Sequence, residues 1–110
     1  MGKWSDHVSS ARARLAEEGA DAAQYLLRHG TMRAGLYAPK VDDQHPHSQD
    51  ELYIVASGQA RFSRAGELLD VRAGHFVFVP ARTAHRFEAM SDDFATYVVF
   101  WGPVDGEAEQ

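Results

Sequence analysis

The chain contains no cysteine. That one absence excludes disulfides, thiolate zinc sites, cysteine nucleophiles and iron–sulfur clusters, so any metal must be held by nitrogen and oxygen. Positive charge is also short, with 11 basic against 16 acidic residues and a formal net charge of −5. A surface built to neutralise phosphates would be basic, so nucleic acid is not an expected partner. Long apolar runs are missing too. The start, MGKWSDHVSSARARL, has no stretch of signal-peptide length, and no later segment approaches the roughly 18 apolar residues of a spanning helix. Gly2 does not begin a myristoylation signal, because Asp6 stands where Ser or Thr is required. These absences predict a cytoplasmic protein without a membrane partner. There is no Ser/His/Asp grouping, phosphate-binding loop or DNA-binding motif to support a hydrolase, a kinase or a transcription factor.

What is present fits one domain: 110 residues, 45% hydrophobic and 25% charged, enough to bury a core unaided. Trp4, Val8, Ala11 and Leu15 recur at three- and four-residue steps, with Ser5 or Asp6 to cap and Gly19 to stop. This predicts a helix over about 6–18, within an N-terminal segment of residues 1–23. From residue 24 to 103 the pattern becomes short β-rich runs: YLLRH, TMRAGLYA, DELYIVAS, QARFSRA, ELLDVRA, HFVFVPA, AHRFEAM and FATYVVFW. Gly58-Gln59, Ala65-Gly66 and Ala73-Gly74 supply turns between them. Eight such runs predict an all-β sandwich or barrel. LYIVA, FVFV and TYVVFW are apolar on both faces, so both must be covered. A second sheet would cover one face and a partner subunit the other, which predicts a homodimer. The acidic tail, residues 104–110, lacks periodicity and is expected to be flexible.

The stretch HPHSQDELYIVASG, residues 45–58, carries the chemistry. In extended backbone His45 and His47 would point the same way, about 6.6 Å apart. Glu51 would then lie about 20 Å from His45, too far to share an ion. Ser48-Gln49-Asp50 has turn chemistry, and a bend there would bring Glu51 back at the start of the next strand. A fourth ligand would come from a distant segment. His7, His29 and His75 have no partner at ligand spacing, whereas His85 follows VPARTA and opens a strand.

These residues resemble the motifs of the cupins, small antiparallel double-sheet jelly-roll barrels. His45, His47, Glu51 and Gly58 match the first cupin motif, and Gly74, Pro80 and His85 match the second. The resemblance covers residues 31–101 and implies that His45, His47, Glu51 and His85 are metal ligands. Three departures fall off the ligand set. Pro39 and Arg82 stand where the family often has glycine, the second of these putting the local turn geometry in question, and Ala89 stands where it often has asparagine.

Three imidazoles and one carboxylate suit Fe, Mn, Ni, Co, Zn or Cu and leave coordination positions open for water or a ligand. A divalent metal held so can act as a Lewis acid or an oxygen-binding redox centre. Alternation places Tyr53 and Val55 on the face of Glu51, and Phe87 on that of His85. Met32, Ala34 and Leu36 read as the inward set of their strand, with Thr31, Arg33, Gly35 and Tyr37 outward, so Met32, Tyr53 and Phe87 are the candidate pocket residues. In FATYVVFW both the Thr96/Val98 and Tyr97/Val99 faces stay open. No side chain stands out as a dedicated acid or base. The resemblance implies an oxygenase (a dioxygenase among them), isomerase or cyclase-like enzyme acting on a small, partly apolar molecule. The alternative is a non-catalytic ligand-binding or sensing module with a structural metal.

Overall fold

Period-two alternation turns the eight runs into eight strands, because only extended backbone sends alternate side chains to opposite faces. The computed structural model describes residues 4–18, 23–40, 42 and 46–108. Helix α1 (Val8–Glu18) precedes β1 (Ala23–His29), β2 (Met32–Tyr37), β3 (Asp50–Ser57), β4 (Gln59–Arg64), β5 (Glu67–Arg72), β6 (Phe76–Val79), β7 (His85–Glu88) and β8 (Ala95–Trp101). They form a five-stranded sheet, β1-β2-β8-β3-β6, and a three-stranded sheet, β5-β4-β7. Among the described residues the strand ladders are antiparallel. The architecture is the all-β double-sheet jelly roll with one N-terminal helix that the sequence predicts.

Cross-strand register sets which side chains face the core. On the inner face of the large sheet, Arg33, Phe100, Glu51 and Val79 form one transverse row, and Gly35, Val98, Tyr53 and Val77 the next. Phe62 and Phe87 pair across β4 and β7 on the smaller sheet. The interior is mostly aromatic, with Phe62 and Phe87 ring centroids 4.7 Å apart and the Tyr53 ring edge-on to Phe87 at 4.8 Å. Tyr53, Phe62, Phe87 and Phe100 are all but fully buried. Each such side chain stabilises the fold by about 1.5–3 kcal/mol relative to exposure.

The inward set of β2 is the reverse of the sequence expectation. Tyr37 belongs to the main core, whereas Leu36 packs with Ala11, Leu15 and Ala95 under α1. Met32 shares the parity of Ala34 and Leu36 and so falls on the helix side, away from the interior. Both parities of β2 are covered, one by a sheet and one by a helix, so apolarity along the strand could not choose between them. In β8 the open question resolves to Thr96, Val98 and Phe100 inward. Trp4, counted in the helical stripe, lies ahead of α1 and is 88% exposed.

Two positions where the sequence departs from the resemblance, Arg82 and Ala89, have φ of 67° and 51°. These are left-handed conformations that glycine and asparagine adopt most easily. Gly58, which keeps the family residue, has φ +72°, and an added Cβ would lie 2.7 Å from Phe94 backbone atoms. The start of the tail makes backbone hydrogen bonds to the β3 end of the fold. Asp105 N donates to Ser48 O (2.6 Å) and Glu107 N to Asp50 Oδ2 (2.9 Å). A buried Asp50 carboxylate needs donors, and the tail backbone supplies one of them.

Candidate metal centre

Glu51 opens the inner face of β3 and is 1% exposed; His85 opens β7 on the opposing sheet and is 6% exposed. Their juxtaposition follows from the packing of the two sheets face to face. His47 lies outside the strands, ahead of a bend at Ser48-Gln49. Pro46, which has no N–H to give to a ladder, precedes it. The His47 carbonyl accepts a 2.7 Å hydrogen bond from Arg82 N, so the left-handed turn at Arg82 anchors the ligand loop. The imidazole packs edge-on against Phe100, with centroids 4.9 Å apart. One ligand atom from each of His47, Glu51 and His85 lies within 4.8 Å of the others.

Hydrogen bonding assigns the His85 tautomer. Its Nδ1 is 2.8 Å from the Thr83 carbonyl, which can only accept, so Nδ1 carries a proton. Nε2 then faces the centre, 3.1 Å from the Tyr53 hydroxyl and 3.1 Å from Glu51 Oε1. Burial works against a charged imidazole at both histidines. At His85 the Glu51 carboxylate and the Thr83 carbonyl outweigh burial, and its pKa is raised above the ordinary histidine value. At His47 burial prevails over the attraction of Glu51, reinforced by His85 and Arg33, and its pKa is lowered.

The Glu51 carboxylate is the test of whether a cation fits. Among the described residues neither of its buried oxygens accepts a well-formed hydrogen bond. A buried carboxylate left so is unfavourable unless a proton or a cation faces it. With Nδ1 protonated and His85 neutral, the Nε2 lone pair would oppose Oε1, a repulsive contact that a shared cation or an added proton relieves. Donors on one transition ion sit about 2.0–2.2 Å from it and so about 3 Å apart when adjacent. The Nε2 to Oε1 separation of 3.1 Å suits that spacing, and the donor set suits a transition metal.

Of the four ligands expected, the structure brings together His47, Glu51 and His85, while His45 lies outside the described residues. Tyr53 and Phe87 belong to the buried core beside His85. Three neighbours escaped the sequence reading. Arg33 and Tyr25 reach this end of the barrel beside Phe100. Asp42, 4% exposed, accepts from Tyr37 Oη at 2.6 Å and from Phe87 N at 2.7 Å. The register of β2 against β8 would have shown Arg33, but a lone arginine between apolar residues reads as solvent-facing.

Comparison with known proteins agrees with the geometry. The family model described as Cupin domain matches residues 33–101. An uncharacterized Streptomyces coelicolor protein, SCO3923, is 43% identical over 93 residues, covering 80% of this chain and 89% of its own. A Cupin 2 conserved barrel domain protein from Salinispora arenicola superposes with a TM-score of 0.62 at 26% identity, over 73% of this chain and 74% of that one. A Rhizobium leguminosarum protein of unknown function superposes with a TM-score of 0.73 at 21% identity, over 92% and 98%.

Proposed function

The chain belongs to the cupin family, and on that footing we propose that it is a metal-dependent small-molecule enzyme in which His45, His47, Glu51 and His85 hold one divalent transition ion. The observation that carries the reading is the buried Glu51 carboxylate, without a hydrogen-bond partner among the described residues and facing His85 Nε2. Fe, Mn, Ni, Co, Zn and Cu all accept this donor set. When bound, such an ion supplies Lewis acidity or an oxygen-binding redox centre.

The chain's own residues do the rest. Thr83 O fixes the His85 tautomer, presenting Nε2 to the centre. The Tyr53 hydroxyl, 3.1 Å from that nitrogen, steadies the ring. Phe62, Phe87 and Val79 exclude water from beneath Glu51. His47 is only half-buried, so a small ligand reaches the centre from its side. The ring-to-ring filling of the interior behind Tyr53 favours, as the second reading, a module that binds a ligand at this mouth without turning it over.

A homodimer is part of the same reading. On the outer face of the large sheet, Ile54, Phe76 and Phe78 are 41%, 72% and 41% exposed, and the Trp101 ring lies tilted beside Phe78 with centroids 6.1 Å apart. A second copy would bury this patch.

The test of the metal site is stoichiometry. Protein stripped with chelator and reconstituted with Zn, Mn, Ni or Fe should bind about one ion per chain, and His47→Ala should weaken binding at least about tenfold. No stoichiometric uptake of any of these metals, or unchanged binding by His47→Ala, overturns it.

A further inference from the structure

Arg33 places a cation beside the candidate centre without an ion-pair partner among the described residues. It occupies the same inner-face row as Glu51, with Phe100 between them. Neighbouring strands lie about 4.8 Å apart, so the two backbones are separated by about 10 Å. The guanidinium carbon sits 4.5 Å from the Phe100 ring centroid and 5.2 Å from that of Tyr25. Those rings hold the side chain in place and leave its edge as the donor surface. Its Nε is buried and donates no hydrogen bond, and no carboxylate forms an ion pair with it, among the described residues. His47 packs on the same Phe100 ring.

A barrel interior is an expensive place for an unpaired arginine. Both Arg33 and His47 keep partial exposure while Glu51 and His85 are buried, so the cation borders the route into the site. From this we propose that Arg33 is the specificity-determining residue for a small carboxylate ligand, which it binds through its guanidinium while the rest of the molecule is directed toward the half-buried His47 side of the centre. The assignment rests on reading this end of the barrel as a ligand site. A planar fork of donors matches the two oxygens of a carboxylate. Phosphate sites usually gather several donors around a helix N-terminus or a backbone nest, and Arg33 stands on a strand. Tyr25 adds a hydroxyl on the same side; burial raises its pKa, Arg33 working against burial and Glu51 with it, so it stays a hydrogen-bond donor.

The experiment follows the Arg33 Nε–Hε resonance by NMR in the full chain, both chelator-treated and zinc-loaded. The titrants are acetate, malonate, pyruvate and benzoate, their neutral amides, and inorganic phosphate. The expected result is a saturable shift with at least one carboxylate at millimolar concentration, about tenfold or more tighter than its amide. Arg33→Met, whose unbranched chain can still lie between the rings, should lose about tenfold to a hundredfold in carboxylate affinity and leave amide affinity unchanged. Arg33→Lys should fall between. The proposal is overturned if no carboxylate moves the resonance, if amides bind as tightly, if phosphate binds more tightly than every carboxylate, or if folded Arg33→Met binds carboxylate like wild type. The comparison of acid with amide in wild type decides the matter even where Arg33→Met does not fold. Zinc content is measured on the same samples. Carboxylate capture by Arg33 without zinc uptake refutes the metal centre alone, and zinc uptake with Arg33-independent carboxylate binding refutes this assignment alone.

Discussion

Replacing Glu51 by methionine should make the metal-free protein more stable and the metal-loaded protein less so. Glu51 is 1% exposed, and among the described residues its oxygens lack hydrogen bonds, so in the absence of metal its charge is opposed chiefly by His85. Exchanging a buried ion pair for apolar packing of similar volume is neutral or stabilising by about 1–4 kcal/mol. The usual penalty for removing one partner does not apply at high pH. His85 can stay neutral, its Nε2 near the Tyr53 hydroxyl and its Nδ1 proton on Thr83 O. The gain should therefore be about 1–3 kcal/mol, or some 4–12 °C in Tm at about 4 °C per kcal/mol for a domain of this size.

The same gain should depend on pH in a fixed direction. The folded pKa of His85 is raised, so its attraction to Glu51 stabilises wild type fully below the unfolded value of about 6.5 and is lost as pH rises through the folded value. The advantage of Glu51→Met should accordingly widen with rising pH. Saturating zinc reverses the order. A ligand at about 1,000 times its Kd adds about 4 kcal/mol to the form that binds it, and the variant has lost its anionic ligand. Thermal melts with chelator and with zinc, at about pH 5.5 and about pH 8.5 on either side of the unfolded value, check all of this. If Glu51→Met melts below wild type in chelator at the higher pH, the carboxylate is structural and the reasoning fails.

Asp42→Ala should remove the acceptor of Tyr37 Oη and Phe87 N, leaving a buried N–H unpaired. Urea denaturation should show a loss of about 2–4 kcal/mol, and a loss under about 1 kcal/mol would contradict the assigned role. Phe76→Lys places a charge in the exposed outer patch; light scattering should report a dimeric mass for wild type and a monomeric one for the variant, and a monomeric wild type would refute the interface.

The local pattern made several things legible. Eight strands, their turns and the helix follow from periodicities of two and of about 3.6 residues, properties of the backbone that neighbouring residues express without help from the rest of the chain. The bend at Ser48-Gln49 was legible because turn chemistry is local too. The inward set of β2 was not. Leu36 and Tyr37 are both buried, one under α1 and one in the barrel, and a strand covered on both sides carries no alternation to read. The contacts of the tail were not legible for a related reason. Its lack of periodicity is real, yet Asp50, far away in sequence, accepts a hydrogen bond from its backbone.

By itself, then, the sequence determined which residue types were available to a metal and at what spacing: no thiolates, His45 and His47 ahead of Glu51, and His85 after Pro80. It also determined that the chain would be mostly strand. Only the tertiary structure decided that Glu51 and His85 would meet at 3.1 Å from opposing sheets, and that Arg33 would share their end of the barrel. The reason is that strand register and sheet packing are set by the summed burial of the whole core. Moving a strand's pairing by one residue turns every side chain on it to the other face.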